Sequence, residues 1–357
     1  MTLEEFVDGF ETRDWQTVTD GTVRLAVIGL GWWTIDYAIP ATVDAELCET
    51  TVAVSGSKRK ARRIADDSAT IEHGITYDEF HDGVAADAYD AVYVCSPNAL
   101  HLPFVETAAG LDKAILCEKP IEASVDRARE VVDVCVSADV PLAIDYRMHT
   151  EPAIRRAREL VRAGFIGDPV HAIGTNSDSM DDLGDEPDRW RLDPDLVGSG
   201  VTVTDIGIYP LNTTRFLLDA DPIAIQSVMH SEHGAFEEVP DEHTAYTTTF
   251  EDGTYLACTA SSNAHTTTSL RLVGTEGEVF VEPAYHMETE IRLTRQDKTI
   301  ALDTPQVNQM VEIFDYFADR VMSASPIGPS GDHGLLDMRA IEAIYEAGET
   351  GQTVHLN

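Results

Sequence analysis

The feature that most constrains the fold is a rhythm in the first 150 or so residues. Short apolar runs at Arg24–Ile28 (RLAVI), Thr50–Ser55 (TTVAVS), Ala88–Cys95 (AYDAVYVC), Lys113–Cys117 (KAILC) and Pro141–Asp145 (PLAID) alternate with helical stretches. Each run is apolar almost throughout, not at every second residue, so both faces of each strand must be covered. The intervening stretches Lys58–Asp67 and Ser124–Ala138 read as helices; the second has apolar residues three and four apart, with Ser124 as its N-cap. Buried strands alternating with helices build a doubly wound (Rossmann) parallel sheet, an α/β fold. Residues 1–22 read as an acidic lead-in and 23–150 as the first domain.

After residue 150 the rhythm changes. Helical patterns at Glu151–Ala163 and Thr202–Leu218 precede strands in series from Pro222 to Leu302, with turns at Asp252-Gly253 and Thr275–Gly277. Helices return at Asn308–Ser323 and His333–Ala347. Strands in series make an open, mainly antiparallel sheet, so residues 151–357 are expected to form a second, α+β domain.

Charge excludes whole classes of partner. There are 25 Lys and Arg against 63 Asp and Glu, a net charge of −38. Such a chain repels phosphate backbones and anionic membranes, so neither nucleic acid nor membrane is an expected partner. Only five basic residues are lysine: Lys58, Lys60, Lys113, Lys119 and Lys298. A carboxylate-rich, lysine-poor surface resembles proteins of extreme halophiles, which are tolerable where salt shortens the Debye length to about 3 Å. The five cysteines are far apart, with no C-x-x-C pair. The N-terminal MTLEEFVDGFETRDW has no basic region followed by an apolar core. A reducing, cytoplasmic location is therefore expected.

The chemistry gathers where strands end. The first run leads into Gly29-Leu30-Gly31-Trp32-Trp33-Thr34, which is G-x-G-x-x-G with Thr in the last place. The first glycine permits the tight turn, and the second lets a pyrophosphate approach the N–H groups of a helix N-terminus. After the next run, where a ribose-binding acid would mark NAD, stand Ser55, Gly56, Ser57, Lys58, Arg59 and Lys60. Hydroxyls and cations there suit the 2′-phosphate of NADP; a basic helix face paired with acidic neighbours is the alternative. Ser96, Pro97, Asn98 and His101 close another strand at the edge where ligands bind, or they form a turn and a helix cap. Glu118 and Lys119 follow a buried strand at the same edge, where the Lys119 ammonium is expected to point at bound nicotinamide, and Lys119-Pro120 is a candidate cis peptide. In the second half, Asp205 and Tyr209 are four apart on a helix and share a face. Facing Lys119, Tyr209 would be a proton acceptor. Arg147, Asn176, Trp190 and Arg191 are candidates to line a cleft between the domains, or are structural. The 12 histidines show no metal-binding spacing, so no metal is expected.

These motifs occur in a familiar order. The GLG turn, S-P-N-x-x-H at Ser96–His101, C-E-K-P at Cys117–Pro120, Y-R-x-H at Tyr146–His149, G-x-G at Gly198–Gly200 and D-x-G-x-Y at Asp205–Tyr209 run through nearly the whole chain after residue 22. The chain resembles the Gfo/Idh/MocA oxidoreductase family and, within it, the glucose–fructose oxidoreductase-like branch. The resemblance implies NADP-dependent oxidation of the C1 hydroxyl of a cyclic aldose, D-xylose first, to the lactone. It implies Lys119, Asp205 and Tyr209 as catalytic residues. With Arg147 and Asn176 these would bind the sugar. Most family members carry His where Tyr209 stands, which shifts the reading towards the Tyr-containing aldose and dihydrodiol dehydrogenases. A homo-oligomer, dimer or tetramer, joined through the second-domain sheet is also implied. Rival readings are an oxidoreductase that never releases NADP, a trans-dihydrodiol dehydrogenase, and an NADP(H)-sensing regulator without turnover.

Overall fold

A computed structural model describes residues 10–179 and 190–356. It divides into two compact units: Trp15–Arg147 with Asn308–Leu335, and Met148–Val307 with Leu336–Asn357 and the described part of the segment ending at Asp14.

The first unit is built on six strands: β1 (Val23–Ile28), β2 (Cys48–Ser55), β3 (His73–Thr76), β4 (Ala91–Val94), β5 (Ala114–Cys117) and β6 (Leu142–Ile144). They lie in the order β3-β2-β1-β4-β5-β6, every neighbouring pair parallel. The switch point is where β1 meets both β2 and β4, so the turns after β1 and β4 open at the edge where doubly wound sheets bind ligands. β4 and β5 are buried along their full length, as their unbroken apolar runs require. The helix Val125–Ala138 buries Ala128, Val131, Val132 and Cys135. Its start is set by Ser124, whose side chain accepts from Arg127 N, and its end by Asp139 in the left-handed region at φ 54°. β3 is a four-residue strand that the sequence pattern does not mark.

The helix Gln309–Ser323 belongs to this unit, although a single cut near residue 150 would leave it in the other. It places Met310, Ile313, Phe314 and Phe317 in one core with Val23, Leu25, Val27, Tyr93 and Leu116. The spacing i, i+3, i+4, i+7 makes one apolar stripe, and the Phe314 ring meets Tyr93 edge-on at 5.2 Å.

The second unit carries nine strands: β7 (Pro169–Ser177), β8 (Pro222–His230), β9 (His243–Phe250), β10 (Tyr255–Ser261), β11 (Thr267–Gly274), β12 (Gly277–Val281), β13 (Ile291–Arg295), β14 (Lys298–Leu302) and β15 (Val354–His355). Their order is β14-β13-β12-β11-β7-β10-β9-β8-β15. All pairs are antiparallel except β7 with β10. The hairpin at Asp252-Gly253 forms as expected: Gly253 has φ 88°, and Thr254 N donates to Asp252 Oδ1 at 2.9 Å. β7 lies ahead of the strands read from Pro222 to Leu302, and the pattern misses it. It sits centrally, yet its partners β10 and β11 lie some eighty to a hundred residues further along the chain. Among the described residues no helix is long and apolar enough to cross a membrane.

Candidate active site

In the first unit the turn after β1 is shaped by contacts its sequence requires. Gly29 has φ 92°, and a Cβ there would stand 2.1 Å from Cys95 O, so only glycine fits. A Cβ on Gly31 would meet nothing within 4 Å, which leaves open room for a phosphate against the backbone. Thr34, in the place of the third glycine, is fully buried and donates through Oγ1 to Gly29 O at 2.6 Å, closing the turn. It opens a π-helical turn, Thr34–Ala38, that runs into the helix Ile39–Asp44. Leu30 is core, packed with Ala53 and Ala61. Trp32 is 46% exposed, and Trp33 stacks on Tyr37 at 4.7 Å. The open glycine and the helix start fit a dinucleotide.

After β2, Ser55 Oγ accepts from Ser57 N at 3.2 Å, and Ser57 caps the helix Lys58–Asp66 by accepting from Lys60 N. The expected pair of phosphate-binding lysines is split here. The Lys58 ammonium bonds Glu79, whose side chain also closes the capping box at Thr76. The alternative reading, a cation paired with an acidic neighbour, therefore describes Lys58. Among the described residues Arg59, Lys60, Arg62 and Arg63 form no ion pair. In a chain of net charge −38, these four cations within five residues fit a 2′-phosphate.

The turns after β4 and β5 are tied together. His101 is fully buried, with Nε2 2.9 Å from Ser96 O and Nδ1 3.1 Å from Ile121 O. It braces the two turns and offers no free edge of its own. Ser96 and Asn98 are buried beside it, and Pro97 precedes the short 3₁₀ turn Asn98–Leu100. Glu118 and Lys119 are half-buried, and the Lys119-Pro120 peptide is cis, as the sequence suggested. Tyr93 Oη donates to Glu118 Oε1 at 2.6 Å. Arg147 is buried; its guanidinium donates to Gln309 and lies 5.5 Å from the Trp33 ring. Its packing role inside the first unit is thus plain.

The second unit builds its part around a distorted helix. Val203–Gly207 is a π-helical turn, followed by regular helix over Ile208–Leu218, where the sequence reads as one uninterrupted helix. Such turns widen the backbone and recur at functional sites. Two side chains cap carbonyls of this turn: Asn176 Nδ2 donates to Ile206 O at 3.0 Å and Tyr246 Oη to Gly207 O at 2.7 Å. Asn176 is 2% exposed, and among the described residues its Oδ1 has no hydrogen-bond partner. Asp205, inside the turn, is held by Arg191, with Nε 2.7 Å from Oδ2, and the Arg191 guanidinium lies over the Trp190 ring at 4.7 Å. Three residues singled out separately are therefore one assembly. Tyr209 is half-buried, its ring 5.9 Å from that of Tyr285.

Sequence reasoning missed the brace behind this helix. Asp241 is buried and accepts from Val201 N at 3.0 Å, Val203 N at 2.9 Å and Tyr345 Oη at 2.7 Å. Gly200 is glycine for that reason: a Cβ would stand 2.4 Å from Asp241 Oδ1. Burial pushes the Asp241 carboxyl up against the pull of those donors. Only the requirement for glycine in G-x-G hinted at it.

Comparison with known proteins agrees with the resemblance read from the motifs. Residues 23–146 match the model of an oxidoreductase family with an NAD-binding Rossmann fold, and residues 154–280 match a GFO/IDH/MocA C-terminal domain. The chain is 51% identical over 361 aligned residues, covering all of both proteins, to the D-xylose 1-dehydrogenase [NADP(+)] of Haloarcula marismortui. It is 30% identical to D-xylose 1-dehydrogenase (NADP(+)) 2 of Haloferax volcanii, over 93% of this chain and 98% of that one. Among solved structures it resembles the aldose-aldose oxidoreductase of Caulobacter crescentus, with a TM-score of 0.86 and 29% identity over 94% of this chain and 100% of that one. A Rossmann unit, a nine-stranded second unit and matches to both family domains lead to one statement: the chain is a member of the Gfo/Idh/MocA oxidoreductase family.

Proposed function

We propose that this protein oxidises the C1 hydroxyl of a cyclic aldose, D-xylose above all, to the lactone, with NADP as cofactor. The full-length likeness to a D-xylose 1-dehydrogenase [NADP(+)] carries the reading. NADP, when bound, would supply the hydride acceptor for the oxidation at C1. Tyr209 takes the hydroxyl proton as that hydride departs, and Lys119 hydrogen-bonds the same oxygen. Asp205, fixed by Arg191, and Asn176 orient the sugar. Backbone groups of Gly29, Leu30, Gly31, Trp32 and Trp33 would hold the pyrophosphate. Ser55, Ser57 and Lys60, with Lys58 beside them, take the 2′-phosphate. Ser96, Pro97, Asn98, Glu118 and Arg147 border the rest of the cofactor, with His101 as their brace.

The test is NADPH formation in molar KCl with a panel of pentoses, hexoses, inositol and dihydrodiols. D-xylose is expected to have the highest kcat/KM; turnover confined to inositol or a dihydrodiol would overturn the reading. In the same assay Lys60→Glu should raise KM for NADP by roughly tenfold, the loss of about one charge-assisted hydrogen bond, and leave that for NAD nearly unchanged. Lys58→Glu should do less, because its ammonium is already committed to Glu79. An equal effect on both cofactors would show that Lys60 does not read the 2′-phosphate.

The likeness to an aldose-aldose oxidoreductase favours a second reading, a closed cycle in which NADP stays bound. Copurified cofactor without free NADPH would establish it.

We also propose a homo-oligomer joined through the exposed face of the second-unit sheet. Val228, Ile173 and Tyr255 stand exposed there, and strand register puts them on one face with Thr175, Thr247 and Thr259. Light scattering in molar KCl should give a dimer or tetramer that Ile173→Asp with Tyr255→Asp converts to monomer; a wild-type monomer would rule this out. A cytoplasmic location is proposed as well, since all five cysteines are free and would stay reduced there.

A further inference from the structure

The carboxyl edge of the first sheet buries an acid that the reaction as described does not use. Asp145 follows β6 and is 3% exposed. Its backbone N–H donates to Cys117 O at 2.8 Å, which sets it beside the Glu118 turn. Among the described residues no donor reaches either oxygen of its carboxyl. The nearby Tyr93 hydroxyl donates to Glu118 Oε1, and Glu118 Oε2 accepts the backbone N–H of Lys119 at 3.1 Å. The Tyr93 hydroxyl and the Arg147 charge also face the Asp145 carboxyl, and the acidic group against it is the carboxyl of Glu118.

Two ionised carboxylates have only acceptors, so they hydrogen-bond only when one carries a proton. The groups facing Asp145 leave little else to compensate it. Tyr93 and Cys95 come from β4 and its end, Glu118 from the end of β5, and Arg147 from beyond β6. Arg147 is the cation among them, and its guanidinium is engaged by Gln309 and Trp33. Burial first, and then the Glu118 charge, hold the Asp145 carboxyl well above the usual carboxylate range. Burial likewise pushes the Cys95 thiol up to about 12, so neither Cys95 nor Tyr93 competes to ionise.

We propose that Asp145 is a positioning residue for Lys119: as the neutral acid it donates to Glu118, and the Glu118 carboxylate, pinned by Asp145 and Tyr93, holds the Lys119 backbone N–H. The positioning role rests on the proposed catalytic role of Lys119, whereas the shared proton stands without it.

The experiment compares wild type, Asp145→Asn and Asp145→Leu in molar KCl. The folded wild type keeps a proton that the unfolded chain loses above pH ~4, so its stability must fall as pH rises. As pH rises above about 4 its folding equilibrium constant should fall relative to Asp145→Asn, by up to about tenfold per pH unit for as long as the folded state keeps the proton. Parallel curves would overturn the shared proton, and this comparison holds even if Asp145→Leu fails to fold. Asp145→Leu, which removes the donor, should lower kcat by about tenfold with NADPH affinity unchanged, and Asp145→Asn, whose amide can donate to Glu118, should restore most of that loss. A Leu variant with wild-type kcat would overturn the positioning role. If Lys119→Ala itself left kcat unchanged, the catalytic reading would fail, and the pH comparison would still decide the shared proton.

Discussion

Tyr209→Phe is expected to lower kcat for sugar oxidation by roughly 10²–10⁴, the range that general acid–base catalysis contributes, while NADPH still binds. Removing a hydride from C1 leaves positive charge on that carbon unless the hydroxyl proton departs with it. A base must therefore lie within hydrogen-bond reach of that oxygen. Phe keeps the ring beside Tyr285 and deletes only the hydroxyl, so a loss of rate without a loss of fold isolates the proton acceptor. On the proposed role of its ammonium, Lys119→Ala should do similar damage. Both variants are measured by kcat together with fluorescence titration of NADPH. Turnover of Tyr209→Phe within a few-fold of wild type would make Tyr209 a packing residue and require another base.

Withdrawal of salt is expected to unfold the protein. A net charge of −38 on 357 residues is close to one uncompensated negative charge for every nine residues. At 1 M salt these charges are screened beyond about 3 Å; near 0.01 M they act over about 30 Å, and the compact state repels itself. Cations do little to relieve this at the surface. Arg24–Asp90 and Arg292–Glu282 are half-exposed pairs of the kind worth about 0–1 kcal/mol each. Circular dichroism followed through dialysis from molar KCl into dilute buffer should show loss of helix and strand signal. A folded, active enzyme in dilute buffer would contradict the halophilic reading. The likeness to haloarchaeal dehydrogenases is consistent with it.

What was legible in the sequence was what burial writes locally. A strand covered on both faces must be apolar along its length, so β1, β2, β4, β5 and β6 announced themselves, and with them the turns that carry Gly29, Ser96 and Lys119. Turn chemistry is equally local: Gly253 and Ser124 end or begin elements through their own backbone and side chains. Choice of partner is not local. β7 has a modest pattern of its own and becomes central because β10 and β11 supply its hydrogen bonds. The helix Gln309–Ser323 has an apolar stripe that fits many surfaces, and only tertiary packing selects β1 and Tyr93 for it. The site divides in the same way. That cations follow Ser57 is plain in the sequence, but that Glu79 occupies Lys58 and not Lys60 depends on a capping box 21 residues away. Asp205 was singled out without Arg191 beside it, and Asp145 looked like the end of a strand. Its burial, and the second carboxyl it meets, arise only when β4, β5 and β6 lie side by side, because hydrogen-bond partners are set by distance in space and not along the chain.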